Sequence, residues 1–290
     1  MRRDRCAGRT GGASALSPLA RRTNRPCAVA PRAVCQHSRM PVDLQDLFGE
    51  FESISLRALD QRAALLRRVD NKYAVPLEAF ATFLERLRDD HQILEIDGRR
   101  AFDYSTTYFD TPELRCFVDH VEDQLPRFKA RSRLYEDGGD CVFEVKLKRS
   151  PGETDKRQID YEPKDRQRLT EEALGCVRSA LADAGLGVPE DLEPTLETSF
   201  ARVTLAGRDG SERVTCDLRV RLTGLRNESA EMRSDLVLVE TKSEDGQSPA
   251  DEELARMDIS PLSLSKYRVG MSLVGAARQF GPQPGSQLFG

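Results

Sequence analysis

Histidine and paired cysteines are scarce in this 290-residue chain. Its three histidines, His37, His91 and His120, leave little material for a histidine-based metal site or a Ser-His-Asp triad. The seven cysteines form no Cys-x-x-Cys pair, which argues against structural zinc and agrees with a reducing compartment. No stretch approaches the roughly 20 apolar residues of a membrane-spanning helix, so we expect a cytoplasmic protein without a transmembrane segment.

What the chain does contain is charge, with 44 Lys and Arg against 48 Asp and Glu and a net charge of −4. The charge is uneven, because residues 1–39 hold nine Arg and only one acid, Asp4. This leader has no hydrophobic periodicity. We interpret it as disordered basic sequence upstream of the natural start at Met40, not necessarily translated. A transit peptide or a nucleic-acid-binding arm is the alternative, although the leader has no aromatic residue to stack on bases.

The remaining chain predicts one α+β domain over residues 40–282 with a large, mainly antiparallel sheet and flanking helices, followed by a disordered tail at 283–290. Three- and four-residue hydrophobic spacing predicts helices. They are expected at 42–68, from Pro76 onward, and at 163–185, 249–257 and 265–279. Alternating patterns bounded by turn residues predict strands. They are expected at 99–109, 127–135, 140–149, 154–162, 198–207, 211–222 and 235–243.

Basic residues occupy every second position of several predicted strands. Lys129, Arg131 and Arg133 share one face because successive strand side chains point to opposite sides. The same pattern continues elsewhere, at Glu144, Lys146 and Lys148, at Arg213, Thr215, Asp217, Arg219 and Arg221, at Glu240 and Lys242, and at Arg202. A solvated outer face explains any one such strand. If the sheet curls into a barrel, these faces would instead line a polyanion channel, where carboxylates could bind Mg²⁺ or Mn²⁺.

Seven short segments occur in an order that is typical of one protein family. They are Asp70-Asn-Lys-Tyr, Tyr108-Phe-Asp-Thr, Arg131-Ser-Arg, Glu144-Val-Lys, Lys156-Arg, Glu240-Thr-Lys and Ser265-Lys-Tyr. From about Arg68 to Arg268, the chain resembles the catalytic domain of vacuolar transporter chaperone (VTC) polyphosphate polymerases, which are CYTH-like triphosphate tunnel metalloenzymes. The resemblance implies a tunnel of antiparallel strands that binds ATP and a growing polyphosphate chain.

The resemblance also implies roles for individual residues. The phosphate-binding catalytic set would be Lys72, Arg131, Arg133, Lys146, Lys156, Arg202, Arg213 and Lys266. Further cofactor-binding cations would be Lys148, Arg157 and Lys242, with competing alignments among neighbouring bases. Glu240 would hold Mn²⁺ or Mg²⁺, with Glu144 as a second acid nearby.

The implied function is transfer of the ATP γ-phosphate to a polyphosphate chain with release of ADP, without nucleic acid as a partner. A metal-dependent tripolyphosphatase or nucleoside triphosphatase of the same fold is one alternative, and a non-catalytic polyphosphate-binding module is another. Glu144-Val-Lys and Glu240-Thr-Lys carry one acid each, where simple tunnel triphosphatases usually have Glu-x-Glu-x-Lys, and this favours the polymerase. The eukaryotic polymerases also carry a sensing domain and membrane helices that this chain lacks, so membrane translocation would need a separate membrane partner. The oligomeric state stays open.

Overall fold

The structure, a computed structural model, describes residues 42–62, 69–150 and 153–290. The predicted leader at 1–39 and the proposed start at Met40 lie outside these residues. The strands are β1 (Glu52–Ile54), β2 (Val69–Pro76), β3 (His91–Leu94), β4 (Ala101–Asp110), β5 (Arg127–Tyr135), β6 (Asp140–Ser150), β7 (Glu153–Asp160), β8 (Glu193–Gly207), β9 (Glu212–Gly224), β10 (Ser229–Glu231) and β11 (Leu236–Ser243). The α-helices are α1 (Val42–Gly49), α2 (Leu56–Arg62), α3 (Leu77–Leu87), α4 (Arg115–Val121), α5 (Glu171–Ala182), α6 (Pro249–Arg256) and α7 (Lys266–Leu273).

The strands form one sheet in the order β2-β11-β9-β8-β4-β5-β6-β7, with β3 and β10 joined at β8 and β9. The neighbours along this order pair in antiparallel fashion, while β1 pairs in parallel with β3. The predicted α+β class with a large antiparallel sheet is confirmed. Strand pairing does not close the predicted barrel, because β2 and β7 end the order of the described strands without pairing to each other.

The sheet nevertheless curls, and the start of α7 shows it directly. Ser265 accepts a hydrogen bond from Lys129 of β5 at 3.2 Å, while the next residue, Lys266, pairs with Asp217 of β9. Strands β5 and β9 are three strand spacings apart, which is about 14 Å in a flat sheet. Contacts of two adjacent residues with both strands indicate that the sheet bends around the start of α7.

Apolar side chains on the opposite face of the strands build the hydrophobic core. On β6, Phe143, Val145 and Leu147 are fully buried in the same cluster as Val177 and Leu181 of α5. A second cluster joins α1, α3 and α6 to β2, β9 and β11, with Phe80, Phe83 and Leu84 at its centre. Each such side chain contributes about 1.5–3 kcal/mol when fully buried. Helices α1, α3, α5 and α6 therefore stabilise the sheet from one face and leave its charged positions on the other.

The N-terminal part of the fold differs from the prediction. The helix expected at 42–68 is wrong, because β1 separates α1 from α2 by pairing with β3. Residues 63–68 lie outside the described part. Strand β2 was not predicted, although the helix expected at Pro76 is present as α3.

The C-terminal residues 283–290, for which a disordered tail was predicted, contact β10 in the structure. The backbone N–H of Gly290 donates to Glu231 at 3.0 Å, and that of Glu231 donates back at 2.9 Å. Ser286–Leu288 forms a 3₁₀ turn, and Phe289 bridges to Met232. These reciprocal backbone hydrogen bonds attach the tail to β10.

None of the helices in the described residues has both the length and the apolar character needed to cross a bilayer.

Candidate functional site

Strand register places most of the predicted residues on one surface, which we call the charged face. Directly opposed pairs share a face in a sheet. Such pairs on this surface are Lys72 with Glu240, Arg213 with Lys242, Arg202 with Asp217, Arg131 with Glu144, and Lys146 with both Lys129 and Lys156. Arg133 lies two residues beyond Arg131, and Lys148 lies two residues beyond Lys146. Because the sheet curls, side chains from distant strands face one another across this surface.

Glu144 is the acidic centre of the β5–β7 part of the charged face. It is 1% exposed, and its Oε2 accepts a hydrogen bond from Arg131 Nε at 2.7 Å. Lys156 Nζ lies 2.6 Å from Oε1, and Arg133 Nη2 lies 3.7 Å from Oε2. Burial would raise the pKa of Glu144, but the three cations lower it below its ordinary value. Glu144 therefore acts as a counter-ion that holds two arginines and a lysine in place.

Asp217 is a second acidic centre and was not among the predicted site residues. Arg202 donates to it through Nε at 2.6 Å and Nη2 at 2.8 Å, and Lys266 Nζ pairs with the same carboxylate. Burial would raise the pKa of Asp217, but Arg202 and Lys266 lower it to about 2. The Arg202 guanidinium also lies 4.9 Å from the ring of Phe200. The sequence signal that could have identified Asp217 was its place in the alternating pattern, two residues before Arg219.

Glu240 is the third acidic centre and lies between Lys72 and Lys242. Lys242 Nζ pairs with its Oε1, and Lys72 is directly opposite on β2. Burial would raise the pKa of Glu240, whereas Lys242, Lys72 and Arg202 lower it well below its ordinary value. The Glu240 carboxylate is therefore ionised and lies among cations that also suit a phosphate.

Lys146 connects this centre to the other side of the curled sheet. Desolvation between the two sides of the curled sheet lowers the pKa of Lys146 although its side chain reaches solvent, with opposing contributions from Asp70 and Glu240. Along the strand order, β6 is six spacings from β2, or about 29 Å in a flat sheet. An electrostatic influence of Asp70 on Lys146 thus requires the two ends of the sheet to face each other, as the predicted channel does.

Arg213 lies at the margin of the charged face, next to α2. Its Nη2 is 3.6 Å from Asp60 Oδ1 and 3.5 Å from the carbonyl oxygen of Leu59. Helix α2 thus contacts the same row of the sheet as Lys242.

Arg157 is the predicted residue that the structure does not bring to the charged face. Its register partner on β6 is Val145, a core residue, so its side chain points toward α5. There its Nη1 donates to Ser179 Oγ at 2.6 Å, and its Nη2 pairs with Asp183. The structure therefore places Arg157 away from the other predicted phosphate-binding cations, and its neighbour Lys156 takes the charged-face position.

The expected run of charged-face positions also stops before Arg219 and Arg221. The β8–β9 register shifts between Ser199 and Ala201, and Arg219 has a positive φ of 54°. A β-bulge of this kind inserts one extra residue and reverses which side chains point inward. Arg219 and Arg221 consequently pair with Asp103 at 3.2 Å and with Glu231 at 3.2 Å on the exposed side.

Two buried carboxylates, Asp251 and Asp110, support the elements that carry the site. Asp251 accepts hydrogen bonds from Tyr73 at 2.7 Å, Asn71 at 3.2 Å and Thr241, which alternate with Lys72 and Glu240 on β2 and β11. Asp110 accepts from the backbone N–H groups of Cys116 at 2.7 Å and Phe117 at 3.0 Å, and from the hydroxyl of Tyr267. These contacts fix the strands that carry the site and the start of α7, next to Lys266.

The two predicted metal ligands differ in how well they fit a divalent cation. In the described part of the chain, no group of three or more His, Cys, Asp or Glu side chains could hold a metal by itself. Mg²⁺ at phosphate sites is usually held by one or two carboxylates plus substrate oxygens. Glu240 fits that pattern. Glu144 does not, because Arg131 and Lys156 already pair with its two oxygens.

Comparison with known families gives a direct assignment. Residues 67–274 match the model of the VTC domain. The match covers most of the chain, and the chain therefore belongs to the VTC domain family. No curated protein matches it.

Solved structures with similar architecture come from several organisms. A Hippeastrum protein described as an adenylyl cyclase candidate with dominant triphosphatase activity has a TM-score of 0.46 and 14% identity, covering 72% of this chain and 97% of that one. A Vibrio parahaemolyticus protein assigned as an adenylate cyclase has a TM-score of 0.36 and 15% identity, covering 77% and 92%. A Pyrococcus horikoshii protein has a TM-score of 0.40 and 13% identity, covering 69% and 98%. At these scores, the likenesses carry no argument about this chain.

Proposed function

We propose that this protein is a polyphosphate polymerase that transfers the γ-phosphoryl group of ATP to the end of a polyphosphate chain. Membership of the VTC domain family supports this proposal. The observation that carries it is the charged face, where Lys72, Arg131, Lys146, Arg202 and Lys266 come from five elements and converge within a curled sheet. Such a surface suits a linear anion with many phosphate groups, because each phosphate can contact a separate cation.

The reaction needs no nucleophilic side chain. A terminal oxygen of the polyphosphate attacks the γ-phosphorus, a new P–O bond forms, and the bond to the β-phosphate oxygen breaks as ADP leaves with its electron pair. Phosphoryl transfer has a loose transition state, so catalysis consists mainly of positioning and charge stabilisation. Arg131, Arg133 and Arg202 would orient the phosphates with their forked guanidinium donors. Lys72, Lys146, Lys156 and Lys266 would stabilise the charge on the transferring group.

Glu240 is the residue that would hold a divalent cation, Mn²⁺ or Mg²⁺. When bound, the cation neutralises phosphate charge and polarises the phosphoryl group. Lys242 pairs with Glu240 and fixes the carboxylate on the charged face. The proposal further assigns the enzyme to the cytoplasm, with ATP and polyphosphate as substrates and no nucleic acid. A separate membrane protein would be required for any translocation of the product.

Product analysis tests the proposal. Purified protein is incubated with ATP and Mn²⁺, and the products are separated on a polyacrylamide gel stained for polyphosphate while ADP and orthophosphate are quantified. A polymerase forms long chains and releases ADP with little orthophosphate. Orthophosphate alone would identify a triphosphatase, and phosphate-chain binding without turnover would identify a binding module. Either result contradicts the proposal.

Matched variants test whether the charged face is the site. Arg131→Gln removes a guanidinium from the charged face of β5, whereas Arg157→Gln removes one from the opposite face of β7, two strands away. We expect Arg131→Gln to lower kcat/KM at least about 100-fold, since a lost charged contact at the transferring group costs about 3 kcal/mol. Arg157→Gln should change it less than about threefold. Equal losses in the two variants would exclude the charged face as the site.

A further inference from the structure

One group of basic residues on the curled sheet is separate from the three acidic centres. We call it the Arg127 cluster, and it consists of Arg127, Lys129, Lys148 and Arg268 with His120. Arg127 and Lys148 are direct cross-strand partners, one row beyond the Lys129–Lys146 pair. Lys129 Nζ lies 3.2 Å from His120 Nε2 and 3.2 Å from Ser265 Oγ. Residues from β5, β6, α4 and the start of α7 thus converge on one place.

The acids that balance the rest of the charged face do not balance this cluster. Among the ion pairs of the described residues, Arg127 has Asp123 at 2.7 Å, and that carboxylate is 81% exposed. Burial followed by the neighbouring cations lowers the pKa values of Lys129, Arg268 and His120, in the last case to about 2, and Asp123 opposes this only in part at Arg268. His120 Nδ1 and Arg268 Nε are buried without a hydrogen-bond partner in the described structure.

Such an arrangement is unfavourable unless an anion binds there. Arg127 is buried and the other members of the cluster are half-buried. Desolvated cations without counter-ions are unfavourable, and like charges directly opposite one another destabilise a sheet. A bound phosphate would supply the missing negative charge and accept hydrogen bonds from Arg127 and Arg268. The partial positive charge at the N-terminus of α7 acts in the same direction.

The position of the cluster indicates which part of a ligand it would contact. On β5, Arg127 lies six residues from Arg133, which corresponds to about 20 Å along the strand. A single triphosphate is shorter than this distance. A longer linear chain could contact Arg131 and Arg133 with its reacting end and the Arg127 cluster with groups farther along.

We infer that the Arg127 cluster is a second phosphate-binding site, which holds inorganic polyphosphate at groups remote from the reacting end. The inference rests on the proposed function for the identity of the chain. It adds that the cluster selects long chains over short ones, because only long chains contact both regions of the surface at once.

Binding without turnover provides the test. Isothermal titration calorimetry with EDTA and without ATP measures the affinities of inorganic tripolyphosphate and of long-chain polyphosphate. We expect the double variant Arg127→Gln/Arg268→Gln to lower the affinity for the long chain at least about tenfold, since two charge-assisted contacts are lost. The affinity for tripolyphosphate should change less than about twofold. The control is Lys164→Gln/Arg178→Gln, which removes the same net charge from exposed positions elsewhere.

Two further measurements keep the outcomes distinct. Thermal unfolding of each variant shows whether it folds. The single variant Arg268→Gln, on a different element from Arg127, should lose part of the affinity for long-chain polyphosphate and keep the affinity for tripolyphosphate. Equal losses for the two ligands, a loss no larger than in the control, or absence of long-chain binding in the unmodified protein would overturn the inference. Failure of the ATP reaction with intact chain-length selectivity would instead contradict only the proposed polymerase.

Discussion

The acidic centres and the Arg127 cluster lie on the same curled sheet but differ in their counter-ions. The acidic centres pair each carboxylate with cations, whereas the Arg127 cluster brings cations together without matching acids. Around Glu144 and Asp217, each carboxylate is surrounded by two or three cations, and its lowered pKa means that folding favours its charged form. In the Arg127 cluster, the lowered pKa of Lys129 means that folding disfavours its charged form. The first arrangement stabilises the empty protein, whereas the second gains its full stability only when an anion binds.

The largest expected effect comes from removing the counter-ion of the first arrangement. Glu144→Gln leaves Arg131, Arg133 and Lys156 crowded without a charge partner. Breaking a buried ion pair in this way costs about 3–5 kcal/mol. We expect that reduction in the free energy of unfolding, measured by urea denaturation. Glu171→Gln, at an 85% exposed position in α5, should change it by less than about 0.5 kcal/mol. A loss below about 1 kcal/mol for Glu144→Gln would show that the positions of Arg131, Arg133 and Lys156 do not depend on this carboxylate.

A somewhat smaller effect should follow acidification, through Asp217. Its folded pKa of about 2 lies below the ordinary value of 3.8, so its contribution to stability is present above pH 3.8 and is lost as the pH falls toward 2. The size of this contribution is about 2 kcal/mol. Unfolding free energies measured from pH 5 to pH 2 should therefore fall less steeply in Asp217→Asn than in the unmodified protein. Parallel curves would contradict the ionised Arg202–Asp217–Lys266 arrangement.

Proton uptake on ligand binding distinguishes the Arg127 cluster from the acidic centres. Burial lowers the pKa of Lys129, and so do four neighbouring cations, Lys146, Arg131, Arg127 and Lys72. A bound anion would raise this pKa again. Binding of long-chain polyphosphate should therefore take up protons, and the affinity should fall as the pH rises through the titration range of the empty site. Calorimetry in buffers of different ionisation enthalpy measures this uptake. Lys129→Met should reduce it, and unchanged uptake would assign the protons to another group.

The smallest effect is expected outside both regions, at Arg157. Its contacts with Ser179 and Asp183 are partly exposed, so Arg157→Gln should lower the free energy of unfolding by at most about 1 kcal/mol. Affinity for tripolyphosphate should be unchanged. Lys156→Gln, one residue away on the charged face, should weaken that affinity. If Arg157→Gln weakens binding as much as Lys156→Gln, the assignment of faces on β7 is wrong.

Most of the sheet was predictable because alternation is a local property of the chain. Strand β5 coincides with the predicted 127–135, and the charged positions of β6 and β11 follow from residue spacing alone. The errors lie where pairing partners are distant in sequence. Strand β1 was taken as helix because its partner β3 is about 40 residues away, and the bulge beside Arg219 depends on contact between β8 and β9.

The sequence by itself determined that one face of a large antiparallel sheet is rich in Arg and Lys, because side chains alternate along every strand. Its ordered motifs also indicated the VTC domain family. Only the tertiary structure decided which bases share a carboxylate, that Arg157 faces α5 while Lys156 faces the site, and that α7 begins between β5 and β9. Register and curvature arise from contacts between residues far apart in the chain. These contacts separate the balanced centres around Glu144, Asp217 and Glu240 from the unbalanced cluster at Arg127.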